Sequence, residues 1–173
     1  MPEPAFFSHD GLPQWQKNII FRYPDIYLTP SEANTSHDIE GDDSFCNLRM
    51  GFEFDQGWKG LAEAFSGVAD QLVKRLRQSR LQPDAFIRAF VFKEKLGTLR
   101  WQGTHNLIEP FATLFGSHVD QLPVRSVHIC ELTGQPGELR EIHGMWKTLC
   151  NREYKRLLNK RACSRTGTSR QKG

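Results

Sequence analysis

Long apolar runs are missing from this chain. None approaches the roughly 20 residues that a membrane-spanning helix requires, so the sequence predicts no membrane partner. The first ten residues also lack the basic and apolar regions of a secretory signal peptide, which indicates a cytoplasmic protein. Cysteine is scarce, with 4 in 173 residues, and this excludes a small disulfide-rich secreted fold. A disulfide between Cys130 and Cys150 remains an alternative if the protein enters an oxidising compartment.

Catalytic motifs are missing as well. The chain has no Gly-x-Ser-x-Gly nucleophile elbow and no glycine-rich phosphate loop. Pro83-Asp84 followed by Glu94 would suit a restriction-like nuclease, but Glu94 is followed by Lys95 and Leu96 and does not begin a Glu-x-Lys motif. We therefore expect a protein that is not an enzyme and that needs no cofactor.

Charge is present but unevenly distributed. Residues 152–173 contain 8 basic side chains and 1 acidic side chain, whereas residues 1–151 contain 15 basic and 19 acidic ones. An acidic body thus carries a basic C-terminal segment. Such an asymmetry is informative about partners, because each part attracts molecules of opposite charge.

Hydrophobic periodicity predicts two helices and a hairpin in the first part of the chain. Residues 14–23 carry apolar side chains at helical spacing and are followed by a proline. Residues 57–80 form the clearest amphipathic helix. Residues 86–93 are apolar on both faces, as in a central strand, and residues 98–101 return as the second strand of a hairpin.

The second part of the chain predicts a helix over residues 107–122, with Pro110 in its first turn and Pro123 at its end. The other predicted elements are a strand over 124–129, a hairpin over 138–142 and 145–147, a helix over 148–160 capped by Thr148, and a disordered basic tail over 161–173.

Two cysteines have the spacing of a zinc ribbon with two ligands replaced. Thr133 lies three residues after Cys130, and Glu153 lies three residues after Cys150. A neutral threonine hydroxyl is a poor zinc ligand. The sequence therefore predicts an α+β fold in one domain over residues 1–160. In it, a small antiparallel sheet packs against two or three helices, and a degenerate zinc-ribbon-like element occupies about residues 126–155.

Three stretches carry a resemblance to a known set of proteins. They are Gly51-Phe-Glu-Phe-Asp-Gln-Gly-Trp58, Lys93-Glu-Lys-Leu-Gly-Thr-Leu-Arg-Trp101, and Cys130-Glu-Leu-Thr-Gly-Gln-Pro-Gly137 with Thr148-Leu-Cys150. Their combination resembles uncharacterised small bacterial and phage proteins that end in a Cys-x-x-Cys-Gly … Leu-Cys-x-x-His ribbon. The resemblance implies an architecture and a zinc ribbon, but no activity. Phe54, Thr133 and Glu153 depart from the pattern at positions where it has a cysteine or a zinc ligand.

These departures lead us to expect no bound metal. If zinc did bind, the ligands available near the ribbon would be His128, Cys130, His143 and Cys150. Without zinc, the element needs an apolar core of its own. The candidate residues for that core are Ile129, Leu132, Leu139, Ile142, Met145 and Trp146.

Two binding surfaces stand out. The first combines the acidic loop over residues 29–44 with Arg100 and Trp101 of the hairpin; a plain solvated loop and hairpin tip are the alternatives. The acidic residues of this surface are Glu32, Asp38, Glu40, Asp42 and Asp43. It predicts a non-catalytic protein-binding module with a basic protein partner, such as an immunity or accessory protein of a phage or bacterial conflict system.

The second surface is the basic C-terminal segment, which would bind the phosphates of a nucleic acid. Its residues are Lys155, Arg156, Lys160, Arg161 and Arg165. Only one aromatic side chain, Tyr154, accompanies these cations, which argues against single-strand binding by base stacking. Nucleic-acid binding is therefore the alternative function, and a solubilising role for the tail stays open beside it.

Overall fold

The computed structural model describes residues 11–27 and 51–166, with side chains up to residue 160. This part of the chain contains four α-helices and two antiparallel sheets of two strands each, which confirms the predicted α+β fold. The helices are α1 (Gln14–Arg22), α2 (Lys59–Gln78), α3 (Phe111–Ser126) and α4 (Asn151–Thr166). The strands are β1 (Ile87–Lys95), β2 (Thr98–His105), β3 (Glu138–Ile142) and β4 (Met145–Leu149). Among the described helices, none has the length and apolarity needed to cross a membrane.

The first sheet is the predicted hairpin. Leu96 and Gly97 form its two-residue turn with φ values of 53° and 73°, a combination typical of a type I′ turn. The free edge of β1 is covered in part by two short segments, because Tyr27 and Glu53 form isolated parallel bridges with Ala89 and Lys93. The first strand therefore has neighbours on both edges, as its apolar character on both faces suggested.

The main core lies between α2 and this hairpin. One face of α2 is buried, and Phe65 from that face contacts Phe92 and Trp101 with ring centroids 5.6 Å apart in both pairs. Phe54, where the resembling proteins have a cysteine, packs against Phe92 at 5.3 Å. Each large apolar side chain buried in this way contributes about 1.5–3 kcal/mol to the stability of the fold.

Helix α3 differs from its prediction at both ends. It begins after Pro110, and it continues through Pro123 to Ser126 in place of the predicted strand over 124–129. The buried hydroxyl of Ser126 donates a hydrogen bond to the carbonyl of Pro123 at 3.0 Å and accepts one from the amide of Leu99 at 2.9 Å. These tertiary contacts hold the last turn, although the proline lacks an amide hydrogen.

The second sheet is the predicted C-terminal hairpin, whose turn at His143 and Gly144 also has positive φ values. Thr148 was wrongly predicted to cap the last helix. It lies in β4 and donates its hydroxyl hydrogen to the carbonyl of Gly97 at 2.6 Å. The helix begins at Asn151 and ends at Thr166, so six residues of the predicted tail are helical and residues 167–173 lie outside the described part.

The apolar cluster of the C-terminal hairpin is also different from the predicted one. Its buried members are Cys130, Ile142 and Leu149, with Leu132, Cys150, Tyr154 and Leu157 packed around them. Three predicted members, Leu139, Met145 and Trp146, have 41%, 57% and 45% of their surface exposed. Leu139 and Trp146 lie on the face of the hairpin opposite to Ile142 and Leu149, whereas Met145 is paired with Ile142 at the end of the hairpin beside the turn. The zinc-ribbon origin of this element stays a prediction.

Candidate functional site

The three stretches that carry the sequence resemblance meet at one place. Segment 51–58 bonds to β1 through the amide of Glu53 and the carbonyl of Phe92, at 3.0 Å. The amide of Gly57 donates to the carbonyl of Glu131 at 2.8 Å, and the indole of Trp58 donates to the carbonyl of Ile129 at 2.7 Å. Residues 129–131 are thereby held against segment 51–58 by one backbone and one side-chain hydrogen bond.

Gly57 permits this close approach. A Cβ atom at this position would lie 2.2 Å from the carbonyl oxygen of Cys130 and 2.5 Å from that of Glu131. Both neighbours are backbone atoms and cannot turn aside as a flexible side chain would. A glycine at residue 57 is thus a structural requirement for this junction.

Acidic side chains from these segments surround a small cavity, which we call the acidic pocket. Its volume is about 280 Å³. Its lining residues are Glu53, Phe54, Asp55, Glu94, Glu131 and Lys147. Among the residues that the structure describes, four carboxylates and one ammonium group therefore line the pocket, which has an excess of negative charge when all five groups are ionised.

Glu131 is the most buried group in the acidic pocket, with 2% of its surface exposed. The ammonium nitrogen of Lys147 lies 2.6 Å from Oε1 of Glu131 and 3.4 Å from Oε2 of Glu94. The other oxygen of Glu94 accepts a hydrogen bond from the amide of Gly97 at 2.6 Å. Oε2 of Glu131 is buried and has no hydrogen-bond partner among the described residues. The buried carboxylate of Glu131 is therefore paired through only one of its two oxygens in this part of the chain.

The pKa values of the buried ion pair shift for different reasons. Burial raises the pKa of Glu131 above its usual value, although the hydrogen bond and charge of Lys147 work against this. Burial alone would lower the pKa of Lys147, but the hydrogen bond to Glu131 and the charges of Glu131 and Glu94 outweigh it and raise that pKa. Both groups therefore hold their protons more tightly than usual.

A second cavity adjoins the acidic pocket and is mostly apolar. We call it the apolar groove; its volume is about 360 Å³. It shares Asp55, Glu131 and Lys147 with the acidic pocket. Its other lining residues are Leu132, Ile142, His143, Met145, Arg156, Leu157 and Lys160. The two cavities therefore lie side by side, one lined mainly by acidic groups and the other by a mostly apolar surface.

The ribbon positions do not form a four-ligand site. The hydroxyl of Thr133 lies 3.8 Å from the sulfur of Cys150, while the carboxylate of Glu153 pairs with Arg152 and Arg156. Backbone amides at the start of α4, above all that of Glu153, lower the pKa of the Cys150 thiol.

The alternative metal ligands are not brought together either. His128 and His143 are exposed, whereas Cys130 is buried. No group of three histidine, cysteine or acidic side chains suited to a metal ion occurs in residues 11–27 and 51–160. The rearranged set of His128, Cys130, His143 and Cys150 is thus not formed.

The predicted partner-binding residues lie in different parts of the chain, and only two of them are among the described residues. The acidic residues Glu32, Asp38, Glu40, Asp42 and Asp43 lie outside the described residues. Arg100 is exposed and donates from Nε to the hydroxyl of Thr98 at 3.0 Å. Trp101 is half-buried and packs edge-on against Phe115 at 5.3 Å. The two side chains thus have different surroundings, as expected for successive residues of a strand.

The predicted nucleic-acid residues lie along α4. Lys155, Arg156 and Lys160 are exposed, and Arg156 forms an ion pair with Glu153 in the preceding turn. Arg161 and Arg165 belong to the helical backbone beyond the described side chains. The cations over 155–160 therefore form an exposed stretch of one helix.

Sequence reasoning missed the acidic pocket. The cysteine spacing gives no indication that Glu131, which directly follows Cys130, lines a site. The hydrophobic pattern places Lys147 only in a hairpin. A usable signal was present, because each of the three resembling stretches contains a glutamate: Glu53, Glu94 and Glu131. No family model, curated protein or solved structure matches this chain, so the resemblance stays a prediction and the site is interpreted from its own geometry.

Proposed function

We propose that this protein is a non-catalytic protein-binding module that recognises a basic partner through the acidic pocket. The observation that carries the proposal is the charge of the acidic pocket, in which four carboxylates and one lysine of the described residues line the same cavity. A cationic side chain from a partner would supply the missing positive charge and would form charge-assisted hydrogen bonds with the exposed carboxylates.

The position of the pocket supports protein recognition. Glu53 and Asp55 are exposed, while Glu131 lies at the buried end with 2% of its surface exposed. Exposed carboxylates attract a cationic partner over a distance, and a buried one discriminates after contact. The composition of residues 1–151, with 19 acidic and 15 basic side chains, has a net charge of the same sign as the pocket.

The proposal places the protein in the cytoplasm, as an immunity or accessory protein of a phage or bacterial conflict system. Its partner would then be a basic protein encoded beside it. This setting rests on the sequence resemblance and on the charge of the pocket.

A charge-neutralising variant tests the proposal. Glu53→Gln with Asp55→Asn removes two charges from the exposed side of the pocket. Asp120→Asn with Glu141→Gln is the matched control, since both residues are exposed and line neither cavity. Immobilised wild type, variant and control are each used to capture proteins from cells that carry the neighbouring genes, and each captured protein is purified and titrated calorimetrically.

We expect a basic partner that binds wild type and control alike, binds the pocket variant at least tenfold more weakly, and loses affinity as salt is raised. A partner that binds all three proteins equally would show that the acidic pocket is not the recognition site.

Nucleic-acid binding is the second candidate, favoured by the exposed Lys155, Arg156 and Lys160 on α4. A gel-shift assay with duplex and single-stranded DNA and RNA at low salt separates the two. Under our proposal nothing shifts. A shift that Lys155→Glu with Lys160→Glu abolishes would instead establish α4 as a phosphate-binding surface.

A further inference from the structure

The acidic pocket and the adjacent apolar groove together indicate which side chains of a partner they could bind. We propose that the acidic pocket and the apolar groove together take two neighbouring side chains of the partner: an arginine in the pocket and an aliphatic residue in the groove. This inference rests on the proposed function and names the element that the site recognises.

Size limits what the site can hold. The two cavities, of about 280 and 360 Å³, lie near the small end of the range for ligand pockets, roughly 300–1,000 Å³. Each is thus suited to one side chain, and the two together to a pair of adjacent ones. Because they share Asp55, Glu131 and Lys147, the two cavities are close enough for adjacent side chains of one short peptide.

The acidic pocket favours arginine over lysine. A second ammonium group would sit as a point charge beside that of Lys147, which already lies 2.6 Å from Glu131. A guanidinium group is planar, is more weakly hydrated, and presents five donors in a fixed fork. It can therefore donate from its fork to the exposed carboxylates of Glu53 and Asp55, which line the same cavity as the buried Glu131.

The apolar groove favours an aliphatic neighbour. Leu132, Ile142 and Leu157 line it, and Met145, with 57% of its surface exposed, forms part of its wall. Covering these side chains removes apolar surface from water. Arg156 and Lys160 also line the groove, so a second basic residue there would meet like charge.

Four dipeptide amides test the inference on the full-length chain. The probe is N-acetyl-Arg-Leu-amide, and its partners are the citrulline-Leu, Lys-Leu and Arg-Ser analogues. Citrulline keeps the shape of arginine and removes its charge. Affinities are measured by NMR titration, following amide signals of Gly57, Leu132 and Lys147.

We expect Arg-Leu to bind tightest, citrulline-Leu at least tenfold more weakly, and Lys-Leu and Arg-Ser several-fold more weakly. Glu53→Gln with Asp55→Asn should weaken Arg-Leu about tenfold, and Asp120→Asn with Glu141→Gln should leave it unchanged. Equal affinity for arginine and citrulline, or no binding of Arg-Leu, would overturn the inference. Binding that appears only after residues 167–173 are removed would identify the chain's own C-terminus as the occupant and would also overturn it.

The proposed function and the arginine inference can be refuted independently of each other. If the dipeptides do not bind but capture of a basic partner still depends on Glu53 and Asp55, the function holds and the arginine inference is wrong. If Arg-Leu binds as expected but no partner depends on these carboxylates, the protein-binding function is wrong and the pocket is an arginine site with another use.

Discussion

Replacing Lys147 by methionine tests the electrostatic account of the acidic pocket. Methionine retains an unbranched side chain but removes the charge that lies 2.6 Å from Glu131 and 3.4 Å from Glu94. Glu131, with 2% of its surface exposed, is then left as a buried carboxylate without a cation. Breaking a buried ion pair in this way costs roughly 3–5 kcal/mol.

The expected loss lies at the low end of that range. Lys147 keeps 28% of its side-chain surface exposed, and the pocket beside it is open to water, which stabilises the carboxylate in part. We expect the free energy of unfolding at pH 7 to fall by about 3 kcal/mol. Urea unfolding followed by tryptophan fluorescence, to which the buried Trp58 contributes, measures this difference.

The pH dependence has a definite sign. Burial already raises the pKa of Glu131, and Lys147→Met removes the two effects of Lys147 that lower it. A carboxyl group whose pKa is raised by folding stabilises the fold below its ordinary pKa and loses that contribution as pH rises through the folded value. The cost of Lys147→Met should therefore shrink between pH 7 and pH 4.

A second variant provides the control. Glu131→Gln added to Lys147→Met removes the isolated charge, so the double variant should recover most of the lost stability at pH 7 and show little change in cost with pH. If Lys147→Met alone lowered the free energy of unfolding at pH 7 by less than about 1 kcal/mol, the Glu131–Lys147 pair would contribute no more than a surface salt bridge, and its description as a buried ion pair would be wrong. A cost that is the same at pH 4 and pH 7 would refute the titration part.

Three other outcomes are expected. Gly57→Ala should lower the free energy of unfolding by about 3 kcal/mol, because its Cβ would lie 2.2 Å from a backbone oxygen. Gly60→Ala is the control, because no atom lies within 4 Å of its added Cβ; it should be neutral or stabilising by up to about 1 kcal/mol. If Gly57→Ala and Gly60→Ala lowered the free energy of unfolding equally, the close contact at Gly57 would not be the cause. Treatment with EDTA should leave the urea midpoint of the wild type unchanged, whereas loss of the C-terminal hairpin alone would reveal a bound ion. Iodoacetamide should label Cys150 faster than the buried Cys130 in peptide mass spectra, since backbone amides lower the pKa of the Cys150 thiol; faster labelling of Cys130 would show that this hairpin opens.

Local patterns in the sequence predicted much of the architecture. The 3.6-residue spacing of apolar side chains located α2, and alternation around Leu96 and Gly97 located the first hairpin. Both signals lie within short windows, where spacing determines which face is buried. The second hairpin around His143 and Gly144 was found for the same reason.

The errors occur where distant contacts override local signals. Pro123 predicted a helix end, but the hydrogen bond between Ser126 and Leu99, 27 residues apart in sequence, holds the final turn. Thr148 predicted a helix cap, but its hydroxyl bonds to Gly97, 51 residues earlier. The acidic pocket could not be predicted, since no local pattern states that Glu53, Glu94 and Glu131 become neighbours.

The order of the pocket residues along the chain has a consequence for biosynthesis. Lys147 lies 94 residues after Glu53, so a ribosome must complete most of the protein before the ammonium group that pairs with Glu131 exists. At about 5–20 residues per second, that interval lasts several seconds. Until then, the ion pair at the buried end of the pocket cannot form. The pocket is therefore completed late in synthesis.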